Sequence, residues 1–227
     1  MISKGGTLGS DRYGLQALLG RIRLFTNSTI RLITKTSTII PNNQWTHIAG
    51  TYNSGNGQFR IYVNGILDSS TIITGAGIPP MASTDSLLIG TFTTGSSYAG
   101  RMDELRLWNR ALSSTEVSQY FRTSLGASSG IYSGLVMSLT FQSNHALINF
   151  LSMVDQTGNG NKGFNRGVSV VNQADRPSLT ILPNENVELD GTNDYLSVVD
   201  AASLSPTTAD YALADNNAAN FVSVIRP

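Results

Sequence analysis

The chain has 227 residues, with 15 basic and 15 acidic side chains and no cysteine. At zero formal net charge it carries no excess that would draw nucleic acid or an anionic membrane. The missing cysteines exclude disulfides, zinc–thiolate sites and a cysteine nucleophile together.

Met1–Gly6 lacks the charged-then-apolar pattern of a signal peptide. No stretch approaches the roughly 18 consecutive apolar residues of a membrane span. The chain is therefore expected either to stay inside the cell or to be a piece of a longer secreted polypeptide. Gly, Ser, Thr and Asn are abundant while Lys and Glu are scarce, a balance that favours strands and turns over helical surfaces.

In chain order, Tyr13–Leu18 and Arg21–Thr26 flank Gly20 and read as neighbouring strands, with Thr29–Thr34 a third. Gln44–Tyr52 alternates, Trp45, His47 and Ala49 on one face and Ile48 and Tyr52 on the other. After the turn cluster at Asn53–Gly57, Gln58–Val63 places Phe59, Ile61 and Val63 together, and Asn64-Gly65 marks a tight hairpin into Ile66–Ile73. Ser86–Phe92 and Arg101–Trp108 are further strands.

Ser113–Phe121 has helical spacing. Ser113 or Ser114 caps it, Glu116 sits in the first turn, and Val117, Tyr120 and Phe121 share a face. Leu135–Phe141 is a strand, Asn144–Val154 an insertion without a clear period, and Asp155–Asn161 a loop. Gly167–Val171, Ser178–Leu182, Val187–Leu189, Tyr195–Val199 and Phe221–Arg226 are strands. About a dozen short strands with one short helix predict an all-β, two-sheet antiparallel sandwich.

Two blocks carry a family resemblance. Trp45–Tyr52 followed by Phe59–Gly65 resembles the central hairpin of laminin-G-like domains, and Gly100–Ser113 followed by Glu116 resembles their closing strand and short helix. The fold so implied is the concanavalin-like jelly roll. Leu135–Phe141, Asp155–Asn161, and Leu189–Val198 with Ser203–Pro206 are similar to the opening of the same family. Phe221–Pro227 resembles the strand that normally precedes Ile2–Gly6, without its usual tryptophan.

Family order would thus be residues 131–227 and then 1–125. Residues 1–125 read as the C-terminal portion of a jelly roll, 126–134 as a linker, and 135–227 as the N-terminal portion. Three arrangements fit: one permuted domain, halves completed by neighbouring chains through strand exchange, or an excised piece of a repeat array. The nine-residue Gly126–Gly134 joint can span about 30 Å. Pairing of residues 221–226 with the strand near Ile2, in the same chain or a neighbour's, would distinguish them.

Alternation places Asp103 with Leu105 and Leu107, at the rim of the sandwich. Related jelly rolls of the family-16 glucanase type hold a structural calcium at the matching strand, so the resemblance makes Asp103 a calcium ligand. The alternative is that Asp103 only bonds backbone amides. Asp155, Asn159 and Asn161 place oxygens at short spacing in a Gly-rich loop, and Asp155 could serve the same ion. The loop lacks the flanking helices and distal Glu of an EF-hand, and an Asx-turn is the favoured reading of it. Asp190–Asp194 reads as a tight turn before a metal role.

Trp45 is expected in the core and Trp108 on the face opposite Leu105 and Leu107. Tyr98, in the Gly95–Gly100 loop, is the aromatic best placed to touch a ligand. His47 on a strand and His145 in the insertion have no nucleophile or acid at motif spacing. The paired carboxylates of the related glucanases are absent, and Gly158, Gly160 and Gly163 follow no phosphate-cradling pattern.

The expected function is a non-catalytic extracellular or cell-surface module that binds glycan or protein through sandwich-edge loops, with no nucleic-acid partner. The second expectation is a structural subunit that self-assembles into a fibre or swapped oligomer. A glycoside hydrolase or lyase rests on fold analogy alone.

Overall fold

A computed structural model of the chain describes residues 2–4, 13–27, 31–73, 85–91, 97–122, 130–139, 141, 153–166, 169–172, 185–192, 195–198 and 217–226. The strands are β1 (Ile2–Lys4), β2 (Tyr13–Leu18), β3 (Arg21–Asn27), β4 (Arg31–Lys35), β5 (Thr46–Asn53), β6 (Gln58–Val63), β7 (Ile66–Ile72), β8 (Leu87–Ile89) and β9 (Ala99–Arg110). After the helix α1 (Ser114–Tyr120) and a 3-10 turn at Gly130–Tyr132 come β10 (Leu135–Leu139), β11 (Met153–Val154), β12 (Lys162–Arg166), β13 (Ser169–Asn172), β14 (Glu185–Asp190), β15 (Tyr195–Val198) and β16 (Asn217–Arg226).

The period-2 runs become strands because each can bury one face. Asn64 and Gly65 both take positive φ, 50° and 78°, the type I′ geometry whose twist matches the flanking strands β6 and β7. The Asn64 side chain also accepts a hydrogen bond from the His47 amide at 3.0 Å, tying the turn to β5.

The strands form two sheets. The first runs β11-β12-β15-β8-β1-β2-β3-β4, and the second β13-β14-β9-β16-β5-β6-β7, with β10 also paired to β9. Every pairing between strands is antiparallel. The architecture is the expected two-sheet β-sandwich with one short helix.

Strands from residues 1–125 and from 135–227 interleave. In the first sheet β15 pairs with β8. In the second, β16 lies between β5 and β9, with Val224 opposite both His47 and Asp103. β1 pairs only with β2 and β8, so Phe221–Arg226 and the strand near Ile2 sit in different sheets and do not pair.

The main core lies between the sheets. Ile2, Leu15, Leu24 and Ile89 meet Ile48, Phe59, Leu105 and Leu107, and Met137, Leu139, Leu189, Leu196 and Val198 from the later residues join the same cluster. A smaller cluster lies on the outer face of the second sheet: Ala49, Tyr62, Trp108 and Leu135 beneath Leu112, Val117 and Ile131.

Several boundaries differ from the sequence reading. The third strand starts at Arg31 and the strand at Ser86 shortens to Leu87–Ile89. Lys162–Arg166, assigned to no strand, pairs with β15. Ser178–Leu182, Ser203–Pro206, and the insertion from Asn144 to residue 152 lie outside the described residues.

One interior predicts one transition. Leu196→Ala should destabilise the whole domain by about 2–5 kcal/mol, the cost of a large-to-small core change. Calorimetry should show a single cooperative melt shifted downward. A second transition left at the wild-type temperature would mean that the two portions have separate cores.

Candidate functional site

The loop Asp155–Asn161 folds onto β10 through its side chains. The Asp155 carboxylate, nearly buried, accepts from the Ser138 amide at 2.9 Å, the Thr157 amide at 3.0 Å, the Thr157 hydroxyl at 2.6 Å and the Asn161 side-chain amide at 2.7 Å. The Val136 carbonyl accepts from the side chains of Asn159 at 2.9 Å, Asn161 at 2.7 Å and Thr157 at 3.2 Å. Gly158 and Gly160 take positive φ, 77° and 74°, which lets the chain turn back within so few residues. The local pattern is the expected Asx-turn, and it concentrates oxygens around Asp155 and Val136.

On β9, alternation fails at a bulge. Glu104 has φ 52°, and the register to β16 shifts between Val222 and Val224. The extra residue lets Met102, Leu105 and Leu107 all reach the main core. Asp103 is therefore not at the rim but 0% exposed, and its Oδ1 accepts the Glu104 amide at 2.9 Å. Glu104, 2% exposed, accepts from the Arg106 guanidinium at 2.5 Å. No hydrogen bond links Asp103 to Asp155 among the described interactions; one bonds its own strand, the other β10. Among the described residues no three His, Asp or Glu side chains group as a metal cluster.

Helix α1 caps the outer face. Ser113 and Glu116 form a capping box, and Glu116 also pairs with Arg110 at 2.6 Å. Burial pushes the Glu116 carboxyl up, but hydrogen bonds from Arg110 and Ser113 outweigh it and hold it below the usual carboxylate range. Beneath α1 a small cavity is lined by His47, Arg106, Trp108, Val117 and Phe121, among others.

A laminin G family model, described as "Concanavalin A-like lectin/glucanases superfamily", matches residues 3–118, just over half of the 227 residues. The chain belongs to the concanavalin A-like superfamily. Adhesion G-protein coupled receptor D1 of Bos taurus is 34% identical over 87 residues. That match spans 38% of this chain and 9% of the receptor. No solved structure gives a significant match.

In this concanavalin A-like sandwich the expected loop aromatic is not at the surface. Tyr98 is only 7% exposed and belongs to the main core. Its amide donates to Gly90 O at 2.7 Å beside the Thr91–Ser97 bridge, which turns the residue inward. Burial pushes its phenol above the usual tyrosine range. Trp108 does face away from Leu105 and Leu107, but it is buried, and its indole N–H donates to Ile131 O at 2.9 Å. Trp45 lies just before β5, half-buried and outside both clusters, rather than in the core. Asp190 accepts the Thr192 amide at 2.7 Å, an Asx-turn, while Asp194 and His145 lie outside the described residues.

Sequence reasoning missed Arg106 and the Val136 carbonyl. Arg106 between Glu104 and Trp108 carried a signal, since a charge in an apolar strand needs a partner. A backbone carbonyl carries none. Asn161→Ala should cost about 1–3 kcal/mol, because it strips a donor from two buried acceptors. The urea midpoint measures this, and an unchanged midpoint would show that the clamp contributes nothing.

Proposed function

We propose that this chain is a non-catalytic binding or adhesion module of an extracellular protein, recognising glycan or protein through loops at the sandwich edge. Its two portions form one jelly roll in permuted order, a reading supported by the interleaving of their strands within one chain.

The condition of the β9 acids carries the non-catalytic reading. Glycoside hydrolysis needs two carboxylates open to substrate, one giving a proton and one receiving charge. Here Asp103 and Glu104 are sealed in the sheet, and Glu104 is held by Arg106. The superfamily and the similarity to an adhesion receptor support the binding half. No helix among the described residues is long and apolar enough to cross a membrane. Arrayed glycans and candidate extracellular proteins should give saturable binding without turnover. Hydrolysis of a polysaccharide that is lost in Glu104→Gln would overturn the non-catalytic reading.

Calcium is proposed at the Asp155 loop, with Asp103 a second candidate ligand. The donor set around Asp155 fits a hard cation: a carboxylate, the Val136 carbonyl, the Thr157 hydroxyl, and amides of Asn159 and Asn161 that present oxygen when turned over. One carboxylate there implies weak binding, in the range of roughly 0.1–1 mM typical of extracellular modules. At ten times such a dissociation constant, calcium adds about 1.4 kcal/mol, or about 3–6 °C in melting temperature for a domain of this size. Asp155→Asn should abolish that increment. An identical melt in calcium and in chelator would rule the site out.

A second reading, self-association, is favoured by one edge. Ile66, Leu67 and Ile72 are exposed along β7, and Leu19 and Ile39 are exposed as well. Asp68 accepts the amides of Ser37 and Thr38, drawing the segment that carries Ile39 beside β7. The Leu19-Gly20 turn abuts Ile39, since a Cβ at Gly20 would lie 3.1 Å from its Cγ2. Among the described strands β7 ends the second sheet, and it carries neither lysine nor proline, so its exposed apolar side chains favour docking of a second copy. Light scattering over a concentration series should show a larger species that Leu67→Lys dissolves. A monomer at every concentration would remove this reading.

A further inference from the structure

The outer face of the second sheet holds a base with no use in the reading above. His47 on β5 is buried under α1 and the turn that follows it. Neither of its ring nitrogens has a hydrogen-bond partner among the described residues. Its ring meets Phe121 edge-on at 5.6 Å, and the Arg122 guanidinium lies over the Phe121 ring, 5.0 Å from its centroid.

Among the described residues, the acids on the elements packed against His47 already have partners of their own. From β9 come Arg106, with Glu104 as its buried partner, and Arg110. From α1 come Glu116, which Arg110 engages, and Tyr120. Arg122 follows the helix. On β6 the Tyr62 hydroxyl bonds Ser114 at 3.0 Å. β16, whose register sets Val224 against His47, has no titratable residue before Arg226. Glu104 and Glu116 are thus engaged by arginines, Asp103 lies across β16 from His47 and accepts the Glu104 amide, and Arg106 repels a second positive charge.

We propose that α1 is an acid-released latch: a proton can reach and stay on His47 only when α1 and Phe121 lift from the sheet, so mild acid opens this flap while the sandwich beneath stays closed. The lift is local because α1 rests on the smaller cluster, separated from the main core by the sheet itself. Opening exposes Val117, Leu112 and the indole of Trp108 but leaves the interior between the sheets intact.

The direction follows from proton binding. Burial, reinforced by Arg106, pushes His47 down from 6.5 to about 3 in the closed form. Above pH ~6.5 the ring is neutral in both forms, and the latch is unaffected. Between about 6.5 and about 3 the open form binds a proton that the closed form does not, so the closed form loses stability as pH falls. Glu116 acts in the same direction only at lower pH. Its hydrogen-bonded carboxylate stabilises the closed form above the ordinary carboxylate value of 4.5 and loses that effect below it.

Hydrogen exchange of the full chain from pH 7 to pH 4, expressed as protection factors, tests this. Protection of the α1 amides should fall by up to about ten-fold per pH unit below ~6.5, the limit for one proton. Protection in the centres of β5 and β9 should stay constant, and His47→Gln should make α1 indifferent to pH down to the Glu116 range. Constant α1 protection in the wild type, an equal fall in the variant, or a parallel fall across the sandwich would each overturn the proposal. If His47→Gln fails to fold, the imidazole proton shifts of His145→Gln, which retains His47 alone, decide it. A ring that titrates near 6.5 while α1 remains protected would refute the latch, and one that stays neutral until α1 opens would support it.

Discussion

Strand β16 occupies the middle of the second sheet, hydrogen-bonded to β5 on one side and β9 on the other. A strand in that position satisfies the backbone donors and acceptors of two neighbours at once. Without it, β5 and β9 would each present an open edge to water. The two apolar clusters lie on the inner and outer faces of the strands it joins, with Ile48 and Leu105 on one side and Ala49 and Trp108 on the other. The last described strand therefore holds together elements that precede it by more than a hundred residues.

The bulge at Glu104 sorts the side chains of β9. A non-glycine residue in the left-handed region costs of order 1 kcal/mol, and here the return is a shifted alternation. Met102 and Leu105, three residues apart, both reach the interior, while Arg106 and Trp108 turn to the outer face. The arginine then meets Glu104 in a buried pair and stands beside His47. One backbone irregularity thus assembles the polar cluster under α1 and withdraws the two neighbouring acids from solvent.

The Asp155 loop works by a different principle. Its contacts are short in sequence, but they end on β10, which itself pairs with β9. A surface loop rich in glycine is thereby fixed to a buried strand, which gives its oxygens a defined arrangement. This anchored loop and the apolar β7 edge are the two features on which the proposed binding readings rest.

Local rules explain what was legible beforehand. Period-2 alternation gave the faces of β5 and β6, Asn64-Gly65 the hairpin turn, Ser113 and Glu116 the capped helix, and Asp155–Asn161 the Asx-turn, because each depends on residues within a few positions of one another. The run of short strands gave the all-β sandwich, and the resemblance added its concanavalin-like class. Only the tertiary structure decided that β16 would sit between β5 and β9, that Tyr98 would turn into the core, that Asp103 would lie in the sheet rather than at its rim, and that His47 would be enclosed with Arg106. Those outcomes depend on which distant strand supplies the opposing surface and on where a ladder slips by one residue, and neither is encoded in any short window of the chain.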